Sequence, residues 1–161
     1  MESRRKIISR AEISVRLDAA RSRGSRIVFT NGCFDVLHVG HVQYLYEAKR
    51  AGDILIVGLN SDASVRRIKG AGRPAVPAEE RAEVLAALEM VDLVTIFNED
   101  TPLDLIKAVR PQVLVKGADW APDQVVGRAE VEADGGRLLL IPLRTGVSTT
   151  GILERIRSVP G

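Results

Sequence analysis

Ile27-Val28-Phe29-Thr30-Asn31-Gly32-Cys33-Phe34-Asp35-Val36-Leu37-His38-Val39-Gly40-His41 is the stretch from which the rest of the chain is best read. It begins as a β-rich run, passes a glycine, and ends on two histidines three positions apart. Val42, Leu45 and Ala48 then recur every three residues. The histidines therefore stand on one face at the start of a helix. A strand running directly into a helix is the first half of a βαβ unit.

Four further apolar runs follow, at 54–59, 93–97, 113–115 and 138–141. They are almost uninterrupted, the pattern of parallel strands covered on both faces. Helical segments fit between them. Pro77 opens one, with Glu79 and Glu80 in the first turn and an apolar face of Val84, Leu85 and Leu88. Thr101 is expected to cap another, with Pro102 at its first position, Asp104 reaching back, and an end near Arg110 before Pro111. Ile152, Leu153 and Ile156 stripe a last helix, and residues 2–24, with Ile13, Val15, Leu17 and Ala20, predict a peripheral one. The expectation is a single α/β domain over residues 1–161. Its core is a Rossmann-like open parallel five-stranded sheet with helices on both faces and a ligand beyond the carboxyl ends of the strands.

Bulk chemistry narrows the partners. Lysine and arginine number 23 against 21 aspartate and glutamate, a net +2, too little to argue for nucleic acid or a membrane surface. Aromatic residues are 4% of the chain, which leaves little for stacking single-stranded bases. Cys33 is the only cysteine, so an intrachain disulfide and a multi-cysteine metal site are both excluded. With neither a leader pattern nor an apolar run of membrane length, the expected compartment is the cytoplasm.

The histidine pair carries the chemistry. Helix-start N–H groups favour an anion, imidazoles add donors to phosphate oxygens, and Gly40 between them leaves room for close approach. Two ordinary packed or surface histidines are the plain alternative. That these are the chain's only two, in this spacing and after the first strand, favours phosphate. Zinc lacks a third ligand nearby and a His-Glu-x-x-His pattern. Gly70-Ala71-Gly72-Arg73-Pro74-Ala75 spells a dinucleotide fingerprint but precedes Pro77 and follows no strand. It reads as a mobile loop whose Arg66, Arg67, Lys69 and Arg73 either close over a triphosphate or are simply solvated. Arg144-Thr145-Gly146-Val147-Ser148-Thr149-Thr150 follows the last strand. It offers hydroxyls, helix N–H groups and an arginine, as a helix cap alone or as a second phosphate site.

Taken together, these segments resemble the HxGH-type nucleotidyltransferases, in particular the branch that joins ATP to D-glycero-D-manno-heptose 1-phosphate. The resemblance runs from about Lys6 to Ile156. Beyond the histidine motif it is carried by Asn60-Ser61-Asp62-Ala63-Ser64-Val65 with Lys69-Gly70, by Arg73-Pro74 and by Ala86-Ala87-Leu88-Glu89-Met90-Val91-Asp92. Asp100-Thr101-Pro102, Val115-Lys116-Gly117-Ala118-Asp119-Trp120 and Ser148-Thr149-Thr150 complete it. Cytidylyltransferases of the superfamily carry Arg-Tyr-Val-Asp in place of Glu89-Met90-Val91-Asp92, which points to ATP. Arg144-Thr145-Gly146 is nearer their form of that turn.

The resemblance implies an adenylyltransferase in which His38, His41, Lys69 and Arg73 do the catalytic work. It gives the nucleotide to Thr30, Asn31, Gly32, Cys33, Phe34, Gly40, Lys116, Asp119, Ser148, Thr149 and Thr150. The acceptor falls to Asp35, Asn60 and Arg144. No protein metal site is expected, and Mg²⁺ is to be held mainly by the ATP phosphates. A homodimer and a separate sugar kinase upstream complete the expectation. The alternatives are a transferase using glycerol phosphate, an aminoalcohol phosphate or FMN as acceptor, and a nucleotide-binding regulator without catalysis.

Overall fold

Val28 and Phe29, neighbours in the first strand, are both completely buried, yet they enter different cores. That alternation is what a strand covered on both faces produces. The computed structural model describes residues 2–159. Its sheet consists of β1 (Ile27–Gly32), β2 (Ile54–Asn60), β3 (Leu93–Phe97), β4 (Val113–Gly117) and β5 (Arg137–Ile141). All ladders are parallel, in the order β3-β2-β1-β4-β5. Each apolar run read from the sequence is one of these strands, and the expected α/β class holds.

Among the described residues seven α-helices surround the sheet: α1 (Arg10–Ser22), α2 (Val39–Lys49), α3 (Asp62–Lys69), α4 (Ala78–Ala87), α5 (Leu103–Val109), α6 (Arg128–Ala133) and α7 (Thr149–Ser158). Leu45 and Ala48 of α2 join Ala82, Leu85 and Ala86 of α4 on one face. Ile13 and Leu17 of α1 join Leu105, Ile106 and Val109 of α5 on the other.

Several local expectations are corrected. The N-terminal segment is a 3₁₀ turn over Glu2–Lys6 and then α1, which is part of a core rather than peripheral. Ile13 and Leu17, four apart, are fully buried, whereas Val15 lies on the opposite side of the helix and is 75% exposed. Just before α1, Ile7 bridges to Val94 and the Ile8 amide donates to the Val94 carbonyl, which covers part of the outer edge of β3. Thr101 does not cap α5, where Pro102 holds the cap position with no side-chain bond. Ile156 is exposed, and no residue of α7 is fully buried. Arg66, Arg67 and Lys69 belong to no loop. They form the last turn of α3, where cations suit the helix dipole, and Ser61 caps its start by accepting from the Ser64 amide at 3.1 Å. Arg67 is turned away, bound to Asp100 and to the Asn98 carbonyl.

The sheet opens where a site is needed. β1 pairs with β2 at six positions but with β4 at only two, Val28–Val113 and Phe29–Leu114. Beyond these the two strands part, so their carboxyl ends flank a crevice at the point where the strand order reverses. Open α/β sheets bind ligands at this place.

Candidate active site at the carboxyl ends of the strands

The crevice is spanned by one side chain. Lys116 of β4 donates from Nζ to the Asn31 side-chain oxygen on β1 at 2.6 Å, and the same ammonium lies 5.7 Å from the Trp120 ring centre. Burial lowers the Lys116 pKa to about 8, against the opposing pull of Asp119 and Cys33. Asp119 and Trp120 follow β4 and are exposed at the rim.

The loop from β1 into α2 is held in a conformation that side chains disfavour. Phe34 and Val36 have φ of 43° and 50°, in the left-handed region, where a β-branched residue is rare. His38 caps α2, its Nδ1 accepting from the Gly40 amide at 3.1 Å. The imidazole is therefore the tautomer with its proton on Nε2. A side chain at residue 40 would meet the His38 ring at 3.0 Å, so Gly40 makes room for that imidazole. His41 stacks on His38, ring centres 3.8 Å apart, and meets Phe34 edge-on at 5.3 Å. Burial first, and the neighbouring His38 second, push the His41 pKa down to about 4, with Asp35 pulling the other way. Burial lowers that of His38 as well. Both rings are consequently neutral at pH 7, and Nδ1 of His41 is buried without a hydrogen-bond partner.

An arginine that the motifs did not single out holds this loop. Arg81 of α4 is 2% exposed. Its Nε donates to the Val76 carbonyl at 2.8 Å. Nη1 donates to the carbonyls of Cys33 at 2.5 Å and Asn60 at 3.0 Å, and Nη2 to Asp62 at 2.7 Å. One guanidinium thus ties the β1–α2 loop, the end of β2, the start of α3 and the loop into α4. The sequence held a signal for it. Arg81 sits on the same helical stripe as Ala78, Ala82 and Leu85, where a charge needs a buried partner.

A family model described as cytidylyltransferase-like matches residues 29–155 of this chain, from the core of β1 into α7. The chain belongs to the cytidylyltransferase-like family. The bifunctional protein HldE of Geotalea uraniireducens is 61% identical over 87% of this chain, and that of Pelobacter propionicus 55% over 96%. The chain spans only 29% and 32% of the length of these two proteins. A solved lipopolysaccharide core biosynthesis protein of Thermoplasma volcanium superposes with a TM-score of 0.62 at 25% identity, over 75% of this chain and 98% of its own. A pantoate-beta-alanine ligase of Francisella tularensis shares the fold, at TM-score 0.57 and 14% identity, over 94% of this chain and 76% of its own.

His38 and His41, Lys116 with Asn31, and Arg73 with Asp35 lie around the carboxyl ends of β1 and β4. Thr149 joins them through its hydroxyl, which donates to the Asp35 carbonyl at 2.7 Å. Ser148 caps α7 by accepting from the Gly151 amide at 3.1 Å, with Thr150 exposed beside it. Arg144 is exposed, and its Cβ lies 3.9 Å from where a Cβ on Gly40 would stand. Lys69 is exposed at the end of α3 and close enough to act electrostatically on Cys33, whose thiol burial pushes up. Gly32 leaves space for Phe34, whose ring would lie 3.1 Å from a side chain there.

Three expected ligand residues are turned inward. Thr30 is fully buried and shares a 2.8 Å hydrogen bond with the Tyr44 hydroxyl. Asn60 is 4% exposed and donates its amide to Ser64 at 3.0 Å. The Asp35 side chain has no exposed surface. Glu89, expected to bear on base choice, lies before β3 and so at the opposite, amino end of the sheet.

Among the described residues no three His, Cys, Asp or Glu side chains converge as a metal site would require. The hydrogen-bond donors around the crevice, Lys116, Arg73 and the histidines, are cationic or neutral, a set that suits phosphate oxygens. Nor is any described helix long and apolar enough to cross a membrane.

Proposed function

We propose that this chain transfers the adenylyl group of ATP to D-glycero-D-manno-heptose 1-phosphate, giving ADP-heptose and pyrophosphate. The observation that carries the reading is the stacked pair of neutral histidines at the start of α2. One of them keeps a buried ring nitrogen without a partner. The resemblance of the segments around it supplies the substrates. High identity to one third of the HldE proteins supports the same branch.

The acceptor phosphate has a second pKa near ~6, so it is already a nucleophile at neutral pH and no base is required. Its oxygen attacks the α-phosphorus in line, the bond to the β-phosphate breaks, and pyrophosphate leaves with the electron pair. The protein's task is to orient the two anions and neutralise the charge that develops. His38 and His41 donate to the triphosphate, whose charge raises their proton affinity from the depressed values of the free protein. Arg73 and Lys69 approach from one side. The Ser148–Thr150 turn takes the β- and γ-phosphates from the other, and Arg144 serves the acceptor. Mg²⁺ would be held mainly by the ATP phosphates and would add to the neutralisation of the leaving group. Preference for ATP over CTP rests on the resemblance, since Glu89 precedes β3 at the amino end of the sheet. A homodimer, a cytoplasmic location and an upstream kinase that phosphorylates the sugar belong to the same reading.

The test is pyrophosphate release with ATP or CTP against a panel of heptose 1-phosphate, glycerol phosphate, an aminoalcohol phosphate and FMN, with products identified by mass. ADP-heptose from ATP is expected, with the highest kcat/KM of the panel. A CTP value equal to or above it overturns the heptose branch. Nucleotide binding without pyrophosphate release from any pair overturns catalysis.

A further inference from the structure

Asp35 has a different use from contact with the acceptor. Its Oδ2 accepts from Arg73 Nε at 2.7 Å and from the Ala75 amide at 2.8 Å, and its Oδ1 accepts from the Val76 amide at 3.0 Å. All three donors come from residues 73–76, in the loop between α3 and α4. Burial works to raise the carboxyl pKa, but these hydrogen bonds and the Arg73 charge outweigh it, so the group is anionic. An outward carboxylate would also repel the phosphate of the acceptor.

Arg73 is arranged the other way. Its Nε is bound to Asp35, whereas its two terminal nitrogens have no protein partner among the described residues and its side chain remains 17% exposed. The guanidinium is thus fixed at one edge and open at the other. The direction of the carboxylate is itself set by the left-handed residues on either side, Phe34 and Val36, and by Thr149, which binds the Asp35 carbonyl.

We propose that Asp35 is a positioning residue that never touches the acceptor. It anchors residues 73–76 and orients Arg73, so that both terminal nitrogens face a substrate phosphate as a bidentate donor. The proposal rests on the nucleotidyl-transfer reading above. Phosphoryl chemistry of this kind depends on placement, and an error of about 1 Å is enough to cost about 10²-fold in rate.

The experiment is a double-mutant cycle of Asp35→Asn and Arg73→Ala, with kcat and KM measured for each substrate and ethylguanidinium added as a rescue agent. Each single variant should lose on the order of 10² in kcat/KM, and the double variant should be no worse than Arg73→Ala. Ethylguanidinium should restore part of the Arg73→Ala activity and none of the double variant's. Additive losses, or equal rescue in the two backgrounds, would overturn the proposal by showing that Asp35 acts on substrate independently. Should Asp35→Asn fail to fold, Arg73→Ala decides alone. Rescue by planar guanidinium but not by methylammonium supports a seat shaped by the carboxylate, and equal or absent rescue overturns it. Wild-type turnover on the same plate keeps failure of the transfer reading distinct from failure of this one.

Discussion

Two helix starts face the same rim of the sheet, that of α2 at His38 and that of α7 at Ser148. Before α2 the chain is buried at Phe34 and Asp35 and half-buried around them, carries two left-handed residues and is tied down by Arg81 and by the Asp35 bonds. Before α7 it is exposed from Pro142 to Gly146, is capped only by its own Ser148, and leads into a helix with no fully buried residue. Fixed donors suit the reacting phosphorus, where geometry limits the rate. A loosely held turn suits the end of the triphosphate that must leave. The two are joined by one bond, from the Thr149 hydroxyl to the Asp35 carbonyl.

The contrast breaks most visibly at Arg81. Arg81→Ala leaves three carbonyls and Asp62 without their buried donor, which should cost about 3–5 kcal/mol and lower Tm by roughly 10 °C for a chain of this size. A thermal melt within 2 °C of the wild type would mean that the α2 loop is not held in this way. His41→Ala should fold with a similar melt but lose about 10²–10³ in kcat, the usual worth of one oriented donor. Near wild-type turnover would remove the histidine pair from the chemistry.

His41 also provides a pH signature. Its folded pKa of about 4 lies below the ordinary 6.5, so between these values the unfolded chain binds a proton that the folded one does not. Its contribution to stability is complete above pH 6.5 and is lost as pH falls toward 4. Tm should therefore drop more steeply over that window in the wild type than in His41→Gln, by on the order of a few degrees. Parallel curves would show that His41 is not buried as a neutral ring.

At the looser helix start the effects should be smaller. Ser148→Ala should cost about 1 kcal/mol or less in stability and raise KM for ATP several-fold with kcat changed little. A fall in kcat comparable with that of His41→Ala would place both helix starts on the same footing.

What was legible in the sequence follows from how each element is buried. The strands were legible because burial on both faces forces continuous apolar runs, and the first two helices after β1 and β2 that carry an apolar stripe were legible by their spacing. The helix α3 was not, since Val65 is its only buried hydrophobic residue and the rest is charge and small side chains. Spacing could assign Asp35, Asn60 and Thr30 to the ligand end of the sheet, but not the direction of their side chains. The cover that α2, α3 and the loop at residues 73–76 place over the strand ends turns all three inward. Nor could spacing show that Glu89 precedes β3, at the amino end of the sheet.

The parting of β1 and β4 creates something usually found only at the outside of a sheet. Residues 30–32 and 115–117 have ladder partners on their outer sides only, so two strand edges face one another inside the molecule. Such edges recruit foreign strands and seed aggregation unless they are blocked. At the outer edge of β3 the block is Ile7 and Ile8. Within the crevice it is the ammonium of Lys116, a charge standing in the path an added strand would take.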